Sequence, residues 1–122
     1  MKEYIKIITS TELIRVRPED LVCIEADGNY SDLVLYTGQK RKLTFKLIKF
    51  EEIFSQLTSN PFIRVGKSLI VNKRYVFLIN VPQQELILAG SGMPQQFIRS
   101  ASREALKELK DLMTNDGGLD ND

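Results

Sequence analysis

Histidine is missing altogether from this chain of 122 residues. Without an imidazole there is no Ser-His or Cys-His activation of a nucleophile, and the commonest transition-metal ligand is gone. Cysteine occurs once, at Cys23. A single thiol with no histidine leaves no ligand set for a structural zinc site. Nor does it allow an intramolecular disulfide, which fits a reducing cytoplasm. Cys23 lies in the apolar run Leu21–Ile24, where a buried small hydrophobe is the natural reading. Long apolar runs are also lacking: the stretch around Tyr75–Ile79 is among the longest and falls far below the ~20 residues of a membrane span. The start, Met-Lys-Glu-Tyr-Ile-Lys, alternates charge with hydrophobe and does not read as a signal peptide. No strand-helix-strand series is visible, which argues against a parallel α/β sheet. Gly90-x-Gly92 lacks the rest of any nucleotide-binding fingerprint. The acids Glu19-Asp20 and Glu51-Glu52 have the look of surface positions. These absences point to a protein that is not an enzyme and carries no metal or other cofactor.

What is present is an ordinary globular composition, 43% hydrophobic and 27% charged, sized for one domain. The net charge of +1 hides an asymmetry. Residues 40–103 hold eleven Lys or Arg against three acids (Glu51, Glu52, Glu85), a local charge of +8. The last nine residues carry −3 and no base. A basic middle is the electrostatic footprint of a nucleic-acid binder, although lysines that merely solvate a β surface would give the same distribution.

Periodicity along the chain is mostly that of short strands. Tyr4–Ile8 and Leu13–Val16 flank a Thr-Ser-Thr turn, and Leu21–Ala26 follows Pro18-Glu19-Asp20. Asp27-Gly28-Asn29 is a hairpin signal leading into Tyr30–Thr37. Arg41–Lys46 alternates apolar and basic residues as a strand does. The period then becomes helical over Leu47–Leu57 and stops at Thr58-Ser59-Asn60-Pro61. Tyr75–Val81 and Glu85–Leu88 pair across Pro82-Gln83-Gln84, and Met93–Ile98 follows Gly90-Ser91-Gly92. Apolar residues from Ala105 to Met113 mark a final amphipathic helix, capped by Ser100 or Ser102. With the two helical stretches so far apart, no helix-turn-helix is available, and a DNA reader of this design must work from loops.

The most informative segment is Phe62-Ile-Arg-Val-Gly-Lys-Ser-Leu-Ile-Val-Asn72. A hydrophobic frame presents one small cationic step, Gly66-Lys67-Ser68. The pattern is similar to the signature of the LytTR family of DNA-binding domains, Phe-x-Arg-x-His-[Lys/Arg]-Ser followed by an apolar stretch and Val-Asn. Gly66 stands where the family usually has histidine. Glu19-Asp20-Leu21-Val22-Cys23-Ile24-Glu25-Ala26-Asp27-Gly28-Asn29-Tyr30 resembles the family's opening, and Ser102-Arg103 its Ser-Arg dipeptide. The resemblance runs from about Leu13 to Met113.

It implies a mainly β fold of layered antiparallel sheets with two short peripheral α-helices, the second over about 101–113. The domain would span 1–113, with a disordered acidic tail at 114–122. It also implies loops that enter successive major grooves of duplex DNA. Lys67, Arg103 and Asn29 are then the candidate base contacts. Arg pairs bidentately with guanine and Asn with adenine, though Asn29 also suits a turn that needs a left-handed backbone. Candidate phosphate contacts are Ser68, Ser102, Tyr30, Ser31, Lys40, Lys42, Arg64 and Lys107. Arg64 reads equally as an ion-pair partner, and Tyr30, Tyr36 and Phe45 read as core or as stacking platforms for single strands. Gly66 and Asn72 take structural roles.

The expected protein is therefore a cytoplasmic, bacterial-type regulator of transcription that binds double-stranded DNA without cofactor or small-molecule substrate. A direct-repeat operator, self-association on DNA, and a membrane or protein regulator encoded elsewhere go with the resemblance, and no receiver domain precedes the match. The rival expectations are a module that sequesters another such regulator, and a β-barrel for single-stranded nucleic acid.

Overall fold

A computed structural model describes residues 3–115. Ten strands run in chain order: β1 (Ile5–Ile8), β2 (Leu13–Val16), β3 (Leu21–Asp27), β4 (Tyr30–Leu35), β5 (Lys40–Leu43), β6 (Phe62–Val65), β7 (Leu69–Asn72), β8 (Val76–Asn80), β9 (Glu85–Leu88) and β10 (Phe97–Ser100). Helix α1 (Leu47–Phe54) lies between β5 and β6, and α2 (Arg103–Thr114) follows β10. Every strand pairing is antiparallel.

The organising element is a five-stranded sheet in the order β5-β4-β3-β7-β6. Strand alternation sends its side chains to two separate cores. Leu21, Ile24, Leu33, Leu43, Phe62 and Ile70 meet Ile5, Ile7 and Val16 of the β1-β2 hairpin and Leu47, Phe50 and Phe54 of α1. Val22, Cys23, Val34, Val65, Leu69 and Val71 face the other way, onto Leu86, Leu88 and Phe97 of the β10-β9-β8 sheet and Ala105, Leu106 and Leu109 of α2. Val22 and Cys23 share a face because a register shift between Leu21 and Cys23 interrupts the alternation. Both faces of the sheet are thus covered, and only its rims are free. At one edge, β5 exposes Lys40, Arg41 and Lys42.

Asn72 fixes the far end of β7. It is fully buried, its amide nitrogen donates to the carbonyls of Pro18 (3.1 Å) and Leu21 (3.0 Å), and its oxygen accepts from the Arg74 N–H (3.0 Å).

Several boundaries differ from the sequence reading. β5 ends at Leu43 rather than Lys46, because Phe45 turns into the first core to meet Phe50 edge-on at 5.9 Å between ring centres. α1 closes at Phe54, three residues early. The last strand is Phe97–Ser100, not Met93–Ile98. α2 starts at Arg103, capped by Ser102 rather than Ser100, and extends through Thr114. Of the acidic tail expected at 114–122, residues 116–122 lie outside the described residues.

Candidate nucleic-acid interface

Three loops meet at one end of the central sheet. The β3-β4 turn is Gly28-Asn29, and the β6-β7 turn is Gly66-Lys67-Ser68. They are adjacent because β3 pairs with β7, and the Ala26 N–H donates to the Ser68 carbonyl at 2.9 Å beyond the last registered pair. The third loop, Ser100-Ala101-Ser102, delivers the head of α2 against Gly66. A β-carbon at Gly66 would stand 3.4 Å from that of Ala105, and the Gly66 φ of +66° is a left-handed value that favours glycine. Between the second and third loops lies a cleft of about 450 Å³ lined by Gly66, Lys67, Ser68, Ser102, Glu104 and Glu108, among others.

Arg64 builds the second loop from below. Its Nε donates to the Gly66 carbonyl (3.0 Å), one guanidinium nitrogen donates to the Lys67 carbonyl (3.1 Å), and the other pairs with Glu51 of α1. A fixed cation under two carbonyls holds the turn in shape and leaves the Lys67 ammonium to project alone. Among the described residues, the Lys67 side chain has neither hydrogen bond nor salt bridge.

Asn29 is exposed, and the left-handed backbone of its turn falls on Gly28 (φ +63°) instead. A positive φ at the first central position only is the pattern of a II′ turn. The conformational reason weighed for Asn29 is therefore overturned, and its amide is free of that duty.

Tyr30 is 47% exposed, with the Lys42 ammonium 5.8 Å from its ring centre. Ser31, expected at a phosphate, is fully buried and donates its hydroxyl to the Phe45 carbonyl at 2.6 Å. Alternation along β4 turns it inward, so it closes the chain after β5 and does not reach the surface. Tyr36 and Phe45 likewise pack against the two cores.

The basic strand β5 is heavily paired. Lys42 sits 2.7 Å from Asp27 and 3.2 Å from Asp32, while Lys40 lies 3.8 Å from Glu25 and Arg41 pairs with Glu12. The Lys42 hydrogen bond and charge hold the Asp27 carboxyl below its ordinary range, and the hydrogen bonds to Asp27 and Asp32 raise Lys42. These cations are partly neutralised before any DNA arrives.

At the third loop, the Ser102 hydroxyl accepts from the Ala105 N–H at 3.1 Å, a standard helix cap. Its own hydrogen remains available to an anion. Arg103 and Lys107, four residues apart on α2, share a face. The Arg103 guanidinium donates to the Pro82 carbonyl at 3.3 Å. Sequence reasoning missed this neighbour, and it missed Glu104 and Glu108 in the cleft. The turn around Pro82 reaches α2 only once the β10-β9-β8 sheet has formed, so no local pattern announces it. Among the described residues no cluster of three or more His, Cys, Asp or Glu could hold a metal ion, and no helix is long and apolar enough to cross a membrane.

The sequence profile described as the LytTr DNA-binding domain matches residues 11–114. A solved structure with this architecture is the LytTr DNA-binding domain of a protein described as a methyl-accepting/DNA response regulator from Bacillus cereus. It is 18% identical, its TM-score is 0.62, and the match covers 93% of this chain and 98% of that one. No curated protein matches the chain.

Proposed function

The chain belongs to the LytTr DNA-binding domain family, and from that premise we propose that it regulates transcription by reading duplex DNA with the loops at one end of its central sheet. The observation that carries this reading is the convergence there of three exposed groups with base-pairing chemistry, Asn29, Lys67 and Arg103, on turns braced by the sheet and by Arg64. Arg103 offers two parallel N–H donors to guanine O6 and N7, Lys67 a less directional one, and Asn29 suits adenine. Ser68, Ser102, Tyr30 and Lys107 surround them as phosphate contacts. Lys40, Lys42 and Arg64 contribute to phosphate neutralisation only by exchanging their carboxylate partners for DNA. Loops spaced along one rim fit successive major grooves, and side-by-side copies on a direct repeat go with the family resemblance. Gly66 offers backbone where the family usually has histidine, so recognition shifts toward Lys67 and Arg103 and the operator is this chain's own.

The test is selection of bound sequences from random duplex DNA at two salt concentrations. An enriched motif supports the reading, and Arg103→Ala then loses about 1–3 kcal/mol of specific binding and relaxes preference at one base pair. Uniform, salt-sensitive retention without a motif would mean nonspecific binding. A stable complex with a protein partner and no affinity for DNA would favour the sequestering module instead.

A further inference from the structure

The four-residue β8-β9 turn, Val81-Pro82-Gln83-Gln84, stands beside the third loop at the same end of the molecule. β9 and β10 pair with Glu85 opposite Ser100, so this turn and the start of α2 leave the sheet together. Two hydrogen bonds tie them: Arg103 donates to the Pro82 carbonyl (3.3 Å), and the Gln84 amide donates to the Ala101 carbonyl (3.3 Å). Gln84 is also the one non-glycine among the described residues with a positive φ, +53°. Glycine or asparagine would hold that backbone at less cost. A long amide side chain is explained there by its reach across to Ala101. The turn is further ordered by the Asn80 side chain, which accepts from the Gln83 N–H at 3.0 Å. A built and braced turn therefore presents one exposed amide, Gln83, whose side chain has no partner among the described residues.

We infer that the β8-β9 turn is a fourth DNA-reading element, in which Gln83 pairs with N6 and N7 of an adenine neighbouring the base pair read by Arg103. Gln84 is a positioning residue that fixes the turn against the Arg103 loop. The inference rests on the proposed function and adds a contact to it. Glutamine matches the adenine donor–acceptor pair in the major groove, and the Pro82 carbonyl places Gln83 next to the Arg103 guanidinium.

The experiment is selection from random duplex DNA with the parent chain, Gln83→Ala and Gln84→Gly, followed by affinity titration on the parent's motif. Gln83→Ala, at an exposed position, keeps the parent's melting temperature, loses preference at one base pair beside that of Arg103, and binds about five- to a hundred-fold more weakly. Gln84→Gly keeps the fold but loosens preference at both positions. If the parent selects a motif and Gln83→Ala selects the same one with equal affinity, this inference falls while the proposed function stands. Equal weakening on all sequences would make Gln83 a phosphate contact and also overturn it. Unchanged preferences in Gln84→Gly would remove the positioning role. A parent that selects no motif overturns both readings together.

Discussion

Cys23 sits mid-sheet with no exposed surface, and burial, aided by the nearby Glu25 charge, pushes its thiol up to about 12. A thiol so held is neither nucleophile nor redox sensor near neutrality. A maleimide reagent should label the folded protein negligibly at pH 7.5 and label it fully in denaturant. The Asp27–Lys42 pair shows a different use of charge. Asp27, held low, contributes stability above the ordinary carboxylate range and loses it as pH falls through its folded value. Lys42, held high, contributes below the ordinary lysine range and loses its part as pH rises through its folded value. The pair is therefore intact across neutral pH, which restrains Lys42 when DNA approaches. Asp27→Asn removes a negative charge from the candidate interface and leaves that lysine held by Asp32 alone among the described residues. It should tighten binding to duplex of any sequence and steepen the salt dependence, by up to about one unit of slope. Binding titrations at several salt concentrations check this. Gly90 sets a steric limit of another sort. A β-carbon there would lie 2.8 Å from the Tyr75 ring, whose hydroxyl is tied to the Glu19 carbonyl. Gly90→Ala should cost about 1–3 kcal/mol of overpacking, seen as a lowered denaturant midpoint.

Among the elements, α1 is held by aromatic packing and α2 by its cap and its glycine neighbour. Phe50 touches Phe45 and Phe54, and Phe54 stacks on Phe62 at 4.1 Å between ring centres. Phe50→Ala should lose about 3–5 kcal/mol, measured by chemical unfolding. Ser102→Ala should lose about 1 kcal/mol, and because the cap sits beside Arg103 it should also weaken DNA binding. Elements such as these were legible because their causes are local. The helical spacing of Leu47, Phe50 and Phe54, the Gly28 turn and the apolar runs of β3 and β7 each determine structure within a few residues. The end of β5 differs because Phe45 turns into the core, and the end of α1 because the chain tightens there, the Gln56 and Leu57 N–H groups donating three residues back to the Ile53 and Phe54 carbonyls. The site was legible in part. Lys67 and Arg103 are exposed, as the motif reading requires, but the burial of Ser31, the bracing by Arg64 and the nearness of the β8-β9 turn depend on contacts between distant strands. No window of sequence contains those.

At the scale of the molecule, a sheet covered on both faces is a firm base with the candidate loops at one rim. Amide exchange should be slowest at Cys23, Ile24, Ile70 and Val71 and fastest in the turns at 28–29, 66–68 and 82–84. Glu25 adds a clasp between layers, since the Arg99 guanidinium of β10 reaches it at 2.8 and 3.0 Å. Arg99→Ala should loosen the β10-β9-β8 sheet from the central one and destabilise the fold, with exchange rising first in β10. The exposed rim of β5 has a consequence for life in concentrated solution. An open strand edge invites the same edge of a neighbouring copy to extend the sheet. With a net charge of only +1, the protein has little overall repulsion to prevent this. Lys40, Arg41 and Lys42 line this edge with ion-paired side chains, and stacking a second β5 against them would strip those charges of water. The basic strand thus acts as a guard against fibre formation, and charge-neutral replacements there should lower the concentration at which the protein aggregates.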